Sequence, residues 1–425
     1  VNELELTSLL GRHASAHSVP GAAIGILREG EVITACSGFA DLTTGEPVTA
    51  DTRFAIGSLG KSIVATAVAR LSADGRLGLD DPVAAHVPEL RNASWGESIT
   101  VRDLLANRSR LPLRAELEFS GFGGDEDDGL SRLATEIATG EPTASFWSYT
   151  NAGWCLLGRA IETLTGLTWE DAMHANLLAP LGMDQTTFAN WPIAEPRAAS
   201  YDITTDGPRP AEPWTPRALG PAGSTLLSTV TDLLRFATSH LDDPTLAILR
   251  ATHADVRIHA WLDAWCLGWA RFDWEGGPVW GWDGVISGHR AILRILPEHR
   301  AAVVLLTNGS NGRAMYRSLF TDLMAAWFDI GVPRLRLEPL YGTAGDLSRF
   351  VGVYAWPDRR VEVTATDDGL IVESELGKIE ALPIDAASFL LDADDPDTPT
   401  MTFGAFDDSG RPGALYEMLW GLPRV

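Results

Sequence analysis

Between Ser58 and Ala73 the chain reads Ser-Leu-Gly-Lys-Ser-Ile-Val-Ala-Thr-Ala-Val-Ala-Arg-Leu-Ser-Ala, small or apolar at nearly every position. A helix with so little polar face has to be enclosed by other elements. It is preceded by a short strand-like run, Arg53–Ile56, and by Gly57. The chain must therefore turn from a strand straight into a buried helix, and Ser58 stands at that turn.

The flanking pattern supplies the enclosure. Leu6 to about His17 carries apolar residues at helical spacing. Ala22–Leu27 and Val32–Phe39 are β-like runs joined by Arg28-Glu29-Gly30-Glu31, a hairpin signal. From Val101 to Leu241 the pattern is helical, clearest at Val101–Ala106, Leu130–Thr139, Ala152–Leu164, Trp169–Leu178 and Thr231–Leu241. Two loops interrupt it: the acidic stretch Gly121–Asp128 and the proline-rich Ile193–Pro221. Strand character returns at Leu267–Phe272, Val279–Trp282, Arg290–Leu296 and Ala301–Thr307, followed by a helix over Arg313–Phe328. The spacing predicts an α/β fold in which strands from both ends form one antiparallel sheet flanked by helices. After Gly331-Val332-Pro333, short alternating runs at Val361, Leu370 and Thr400 predict a small all-β, barrel-like unit. The expected division is a catalytic domain over 1–335 and a β unit over 341–425. Within the first, the α/β part covers about 1–75 and 245–335 and the helical insertion about 76–244.

Composition narrows the function. A formal charge of −24 over 425 residues disfavours nucleic acid and anionic membrane surfaces as partners. No apolar run is long enough to span a bilayer. Three scattered cysteines, Cys36, Cys155 and Cys266, predict neither a disulfide framework nor a zinc site, and they suit a reduced cytoplasm. The histidines show no metal-like spacing, so no metal and no cofactor is expected.

Ser58 and Lys61 lie three residues apart, and on a helix both face the same way. A serine needs a base to become a nucleophile, and a lysine serves if burial lowers its pKa. Arginine does not deprotonate in proteins. The chain has only two lysines, Lys61 and Lys378, and otherwise uses arginine for positive charge. A lysine at this position is therefore informative. Tyr149 and Asn151 precede the helix Ala152–Leu164. Beside a cationic lysine, a tyrosine can have a lowered phenol pKa and shuttle a proton from the serine, while an asparagine amide can bridge lysine and substrate. Taken alone, Tyr-x-Asn before a helix reads more simply as a turn and an N-cap.

Together with Val19-Pro-Gly-Ala-Ala23, Asp74-Gly-Arg-Leu77, Leu178-Ala-Pro-Leu-Gly-Met183 and Gly220-Pro-Ala-Gly-Ser224, these motifs resemble the class C β-lactamase and penicillin-binding-protein superfamily over about residues 7–330. The resemblance implies a helical domain inserted in an α/β domain, with the active site between them. It implies that Ser58 is acylated, that Lys61 and Tyr149 handle protons and that Asn151 orients substrate. The third motif falls at Trp282-Asp283-Gly284, with Gly284 permitting close approach of substrate and the amides of Ser58 and Val285 forming an oxyanion hole.

Trp282 departs from the cationic or polar residue that β-lactamases and DD-peptidases carry there, and esterases resembling the family carry Trp-x-Gly. An alternative makes Trp282 a core residue and lets His289 supply the polarity. Arg110 replaces a usual glycine. Trp147, Trp154, Trp280 and Trp282 predict an apolar pocket. The reading that follows is a serine acyl-transfer enzyme acting on a small-molecule ester or amide. The acyl group passes to water, as in an esterase or amidase, or to an amine or alcohol, as in a transacylase of antibiotic biosynthesis. The alternatives are a β-lactamase or D-stereospecific peptidase, and an inactive member with a binding role.

Overall fold

The computed structural model describes residues 2–109, 111, 118, 128–142, 146–192, 196–254, 256–258, 261–333, 338–340, 346–392 and 400–425. Helix α1 (Glu3–Ala16) opens with a capping box between Asn2 and Glu5, which satisfies two otherwise orphaned backbone donors. Strands β1 (Gly21–Arg28) and β2 (Glu31–Asp41) follow as the expected hairpin, with Glu29 and Gly30 both at positive φ in its turn. The short β3 (Glu46–Pro47) pairs on the outer side of β2.

The remaining strands of this sheet come from the far side of the helical region: β4 (Ala264–Trp265), β5 (Ala270–Trp274), β6 (Gly277–Ile286), β7 (His289–Leu296) and β8 (Ala301–Thr307). The order is β3-β2-β1-β8-β7-β6-β5-β4, and every pairing is antiparallel. The first hairpin thus joins the second set along β1 and β8, with Ile24 opposite Leu305. Strands β7 and β8 are buried at every position, because helices cover both faces of the sheet.

Helix α2 (Gly60–Ala73) is the enclosed helix expected from its composition, with 11 of its residues buried, Lys61 among them. A 3₁₀ turn, Gly57–Leu59, leads directly into it. Helix α3 (Ala152–Thr165) ends on Gly166 in the left-handed conformation. Helices α4 (Val230–Asp242) and α5 (Gly312–Phe328) carry strongly buried faces. The loop expected over 193–221 contains a hairpin, Tyr201–Thr204 with Gly207–Pro210, and a 3₁₀ segment, Arg217–Ala222. Pro208 and Pro210 disguised that hairpin, since proline usually marks non-strand sequence. Residues 193–195, Arg110 and 121–127 of the acidic stretch lie outside the described residues.

The C-terminal strands run from Gly352–Trp356 to Trp420–Pro423 in one eight-stranded antiparallel meander. It is nearly closed: Tyr354 bridges Arg424, and the Val425 amide donates to the Val353 carbonyl at 2.9 Å. Phe350, Phe389 and Phe403 pack edge and tilt within it as a separate small core. Its last hairpin, Pro412–Glu417 with Trp420–Pro423, faces two ways: Leu415 and Leu422 stay in that core, whereas Ala414, Tyr416 and Leu419 belong to the main hydrophobic core. The Tyr149 amide donates to the Leu419 carbonyl at 3.1 Å, and Tyr416 Oη donates to the Trp147 carbonyl at 2.9 Å. The barrel therefore docks on the segment that carries Tyr149. Cys36, Cys155 and Cys266 are all free thiols. Among the described residues no helix is long and apolar enough to cross a membrane.

Candidate active site

Three glycines bring the Gly57–Leu59 turn against its neighbours. Gly284 of β6 approaches so closely that a Cβ there would lie 1.7 Å from the Ile56 carbonyl oxygen. Gly223 has φ +110°, and a Cβ on it would meet the Gly57 carbonyl oxygen at 1.9 Å. A Cβ on Gly57 would in turn touch the backbone of Val285. Glycine at 284 is thus explained by the backbone that carries Ser58, rather than by room for a substrate. As a result Ser58 and Val285 line one wall of the same cleft, with the Val285 side chain half-exposed at its mouth.

Lys61 Nζ stands 3.1 Å from Ser58 Oγ and donates to Asn151 Oδ1 at 2.8 Å and to the Ala222 carbonyl at 2.7 Å. The side chain is fully buried, and loss of hydration lowers its pKa to about 7. Glu118 and Cys155 oppose that shift. The amine is therefore poised between its two protonation states near neutral pH, next to a hydroxyl.

Tyr149 hydrogen-bonds Ser58 and accepts from Trp282 Nε1 at 3.2 Å, while Lys61 Nζ sits 4.8 Å from its ring centre. The expected lowering of its phenol pKa does not occur. Burial raises it, outweighing the hydrogen bonds from Ser58 and Trp282 that favour the phenolate. Tyr149 is a neutral hydroxyl here, able to accept one proton as it passes on another. Asn151 sits at the N-terminus of α3 with no side-chain capping bond. Its amide serves Lys61 through Oδ1 and the Glu118 carbonyl through Nδ2, at 2.8 Å in each case.

The cleft has a volume of about 220 Å³. Its indoles come from Trp214, Trp261, Trp282 and Trp420. Of the four tryptophans expected there, only Trp282 lines it. Trp154 donates to Asn107, Trp280 to the Arg250 carbonyl, and Trp147 packs on Trp265 and Tyr416. Trp280 shares the strand face of Trp282 but lies one pleat further from Ser58. Among the described residues lining the cleft, Asp283 alone carries a formal charge, and Arg294 engages its carboxylate at 2.5 Å. His289 does not line the cleft. It is buried edge-on to Phe54, and burial lowers its pKa to about 4, so it supplies no charge to substitute for Trp282.

Glu118, the Ala222 carbonyl and the barrel residues Met418, Leu419 and Trp420 also belong to this site. Only Gly220–Ser224 had a sequence signal, as a motif. Glu118 and the 418–420 turn have none, because their approach is purely tertiary.

An enclosed serine with a buried, near-neutral lysine and a tyrosine on one side, and close-packed backbone on the other, defines a serine acyl-transfer class of site. The family model Beta-lactamase matches residues 6–326. The chain belongs to the beta-lactamase family, within the serine hydrolase superfamily that includes penicillin-binding proteins. Penicillin-binding protein 4 of Amycolatopsis lactamdurans is 32% identical over 362 residues, covering 80% of this chain and 93% of that protein. Esterase EstB of Burkholderia gladioli is 33% identical over 209 residues, 45% of this chain and 52% of the esterase. The crystal structure of SurE superposes on 100% of this chain and 99% of its own, with a TM-score of 0.82 and 26% identity. A SurE structure with D-Leu gives a TM-score of 0.81.

Proposed function

We propose that the protein is a serine acyl-transfer enzyme that forms an acyl-Ser58 intermediate from a small ester or amide and releases it to water or to an amine or alcohol. The observation that carries this reading is the placement of Lys61 Nζ 3.1 Å from Ser58 Oγ in a buried setting that brings its pKa to about 7. Neutral Lys61 takes the hydroxyl proton as Ser58 Oγ attacks the carbonyl. The developing oxyanion faces the amides of Ser58 and Val285. As the tetrahedral species collapses, the proton returns through Tyr149 to the leaving oxygen or nitrogen. The acceptor then repeats the sequence in reverse. Asn151 holds Lys61 and presents its amide beside the bound acyl group.

Two features support a neutral, apolar acyl donor. The cleft walls are indoles and aliphatic groups, and among its described lining residues there is no Lys, Arg or His to bind a substrate carboxylate. SurE, similar over the whole chain, has been solved with D-Leu, which supports a D-configured apolar residue at the reacting end of the donor. The aromatic enclosure favours transfer over hydrolysis, since it limits water around the acyl-enzyme. That in turn supports a synthetic role, as in antibiotic biosynthesis.

The experiment is product partition with a D-leucyl ester and rising concentrations of a primary amine. Amide is expected to displace free acid while acyl-Ser58 is seen by mass spectrometry. Acid alone at every amine concentration would leave an esterase, and efficient nitrocefin hydrolysis would restore the β-lactamase reading. Wild-type protein with no adduct on Ser58 would make it a binding protein.

The acylation rate should depend on pH with a defined sign. Only neutral Lys61 accepts a proton, so the burst rate constant with p-nitrophenyl acetate should rise about tenfold per pH unit below about 6 and level off above about 8. A flat profile between these limits would remove Lys61 from proton transfer.

A further inference from the structure

Glu118 is 0% exposed and lies beside, not in, the cleft. Both carboxylate oxygens act as acceptors. Oε1 receives the Thr150 hydroxyl at 2.7 Å, and Oε2 receives the Asn151 amide and, at 3.3 Å, Trp420 Nε1. The Glu118 carbonyl receives Asn151 Nδ2 at 2.8 Å. Thr150 Oγ1 in turn accepts from the Gly153 amide, so its own proton is committed to Glu118. Burial raises the pKa of this carboxyl, while the three donors aimed at its two oxygens and the Lys61 amine pull the other way and favour the ionised form.

The arrangement holds Asn151 from two sides. Its backbone and its Nδ2 are tied to Glu118, which leaves Oδ1 turned to Lys61 Nζ at 2.8 Å. The Nδ2 bond is to the main-chain carbonyl and survives any side-chain change, so losing the carboxylate acts through the backbone: it releases Thr150 and the Asn151 N–H and lets Oδ1 shift away from Lys61. The third donor comes from the barrel. Trp420 packs edge-on to Tyr149, with ring centres 5.3 Å apart, as its N–H reaches Glu118. One indole of the last hairpin thus touches both the tyrosine and the anchor of the asparagine.

We propose that Glu118 is a positioning residue whose carboxylate clamps Asn151 behind Lys61 and, through Trp420, makes proton transfer at Ser58 depend on docking of the C-terminal barrel. The inference rests on the acyl-enzyme reading of Ser58. Besides the Ala222 carbonyl, the groups facing Lys61 are Ser58, Tyr149, Asn151, Cys155 of α3 and Glu118, and the Glu118 carboxylate is the anion among them whose charge favours the ammonium.

The test uses the full chain and the p-nitrophenyl acetate burst, read against pH. Glu118→Gln keeps the shape and removes the charge. It should lower the plateau rate constant about tenfold and move the acid limb to lower pH by roughly half a unit or more, because the lysine ammonium loses a stabilising anion. Glu118→Asp keeps the charge but withdraws it by one methylene, so the plateau should fall with the limb in place. Trp420→Phe preserves the ring against Tyr149 and removes the N–H, and should slow acylation severalfold. An unmoved limb and near-normal rate in Glu118→Gln would overturn the proposal while Ser58 still labels. If that variant does not fold, a wild-type rate in Glu118→Asp overturns it equally. A wild-type rate in Trp420→Phe removes the barrel from the mechanism. Wild-type protein that never labels on Ser58 fails the acyl-enzyme reading, and the proposal with it.

Discussion

Replacing Lys61 with arginine is expected to reduce acylation of Ser58 on the order of 10³-fold, although the charge at that position is retained. The reason is protonation rather than charge. Lys61 is fully buried, with a pKa brought to about 7, so a large fraction of the enzyme holds a neutral amine at neutral pH. A guanidinium has no accessible neutral form. It also has no room: Nζ is already fixed by Ser58 Oγ, Asn151 Oδ1 and the Ala222 carbonyl within 3.1 Å. Stopped-flow burst amplitude and intact mass after p-nitrophenyl acetate would read the loss. The acid limb near pH 7 should vanish from whatever activity remains. A variant with normal burst rate and an unchanged limb would show that the proton goes elsewhere, with Tyr149 as the alternative acceptor.

Why Lys61 could be recognised from sequence while Glu118 could not is a matter of range. Ser58 and Lys61 are related by one turn of helix, and the scarcity of lysine gave the spacing meaning. Tyr149 and Asn151 again lie together at a helix start. Local geometry carries such pairs wherever the segment ends up. The same holds for the sheet, because the apolar runs Ala22–Leu27 and Ala301–Thr307 announced strands from local sequence alone. Glu118 and Trp420 have no such local relation. They meet only because the last barrel hairpin docks on Trp147–Tyr149.

Burial is equally non-local, and that accounts for Tyr149. The adjacent lysine suggested a lowered phenol pKa, but Trp282, Trp265 and Trp420 enclose the ring and raise it. The tryptophans show the same limit in another form. Strand alternation places Trp280 and Trp282 on one face, yet only the depth of each along β6 decides which one meets the cleft.

The backbone wall behind Ser58 gives the second large effect. Gly284→Ala adds a single methyl, but its ideal position is 1.7 Å from the Ile56 carbonyl oxygen and 3.1 Å from the Leu59 amide nitrogen. Both neighbours are main chain, so no side-chain rotation can make space. Strand β6 and the Gly57–Leu59 turn would have to separate by more than 1 Å to reach ordinary contact. That movement carries Val285 away from Ser58 and opens the proposed oxyanion hole, where loss of one donor costs roughly 10²–10³-fold in rate. A displacement of this size at the nucleophile is itself worth about 10²-fold. Overpacking of this kind also destabilises by about 1–3 kcal/mol, so a lower Tm should accompany the lost activity. The two effects separate by temperature: assayed well below its Tm, the variant should remain folded by circular dichroism and still acylate at least about 10²-fold more slowly. Acylation within threefold of wild type would mean that the turn relaxes without moving Ser58. Close packing of β6 against the nucleophile turn would then be a feature of stability, with Ser58 positioned by α2 alone.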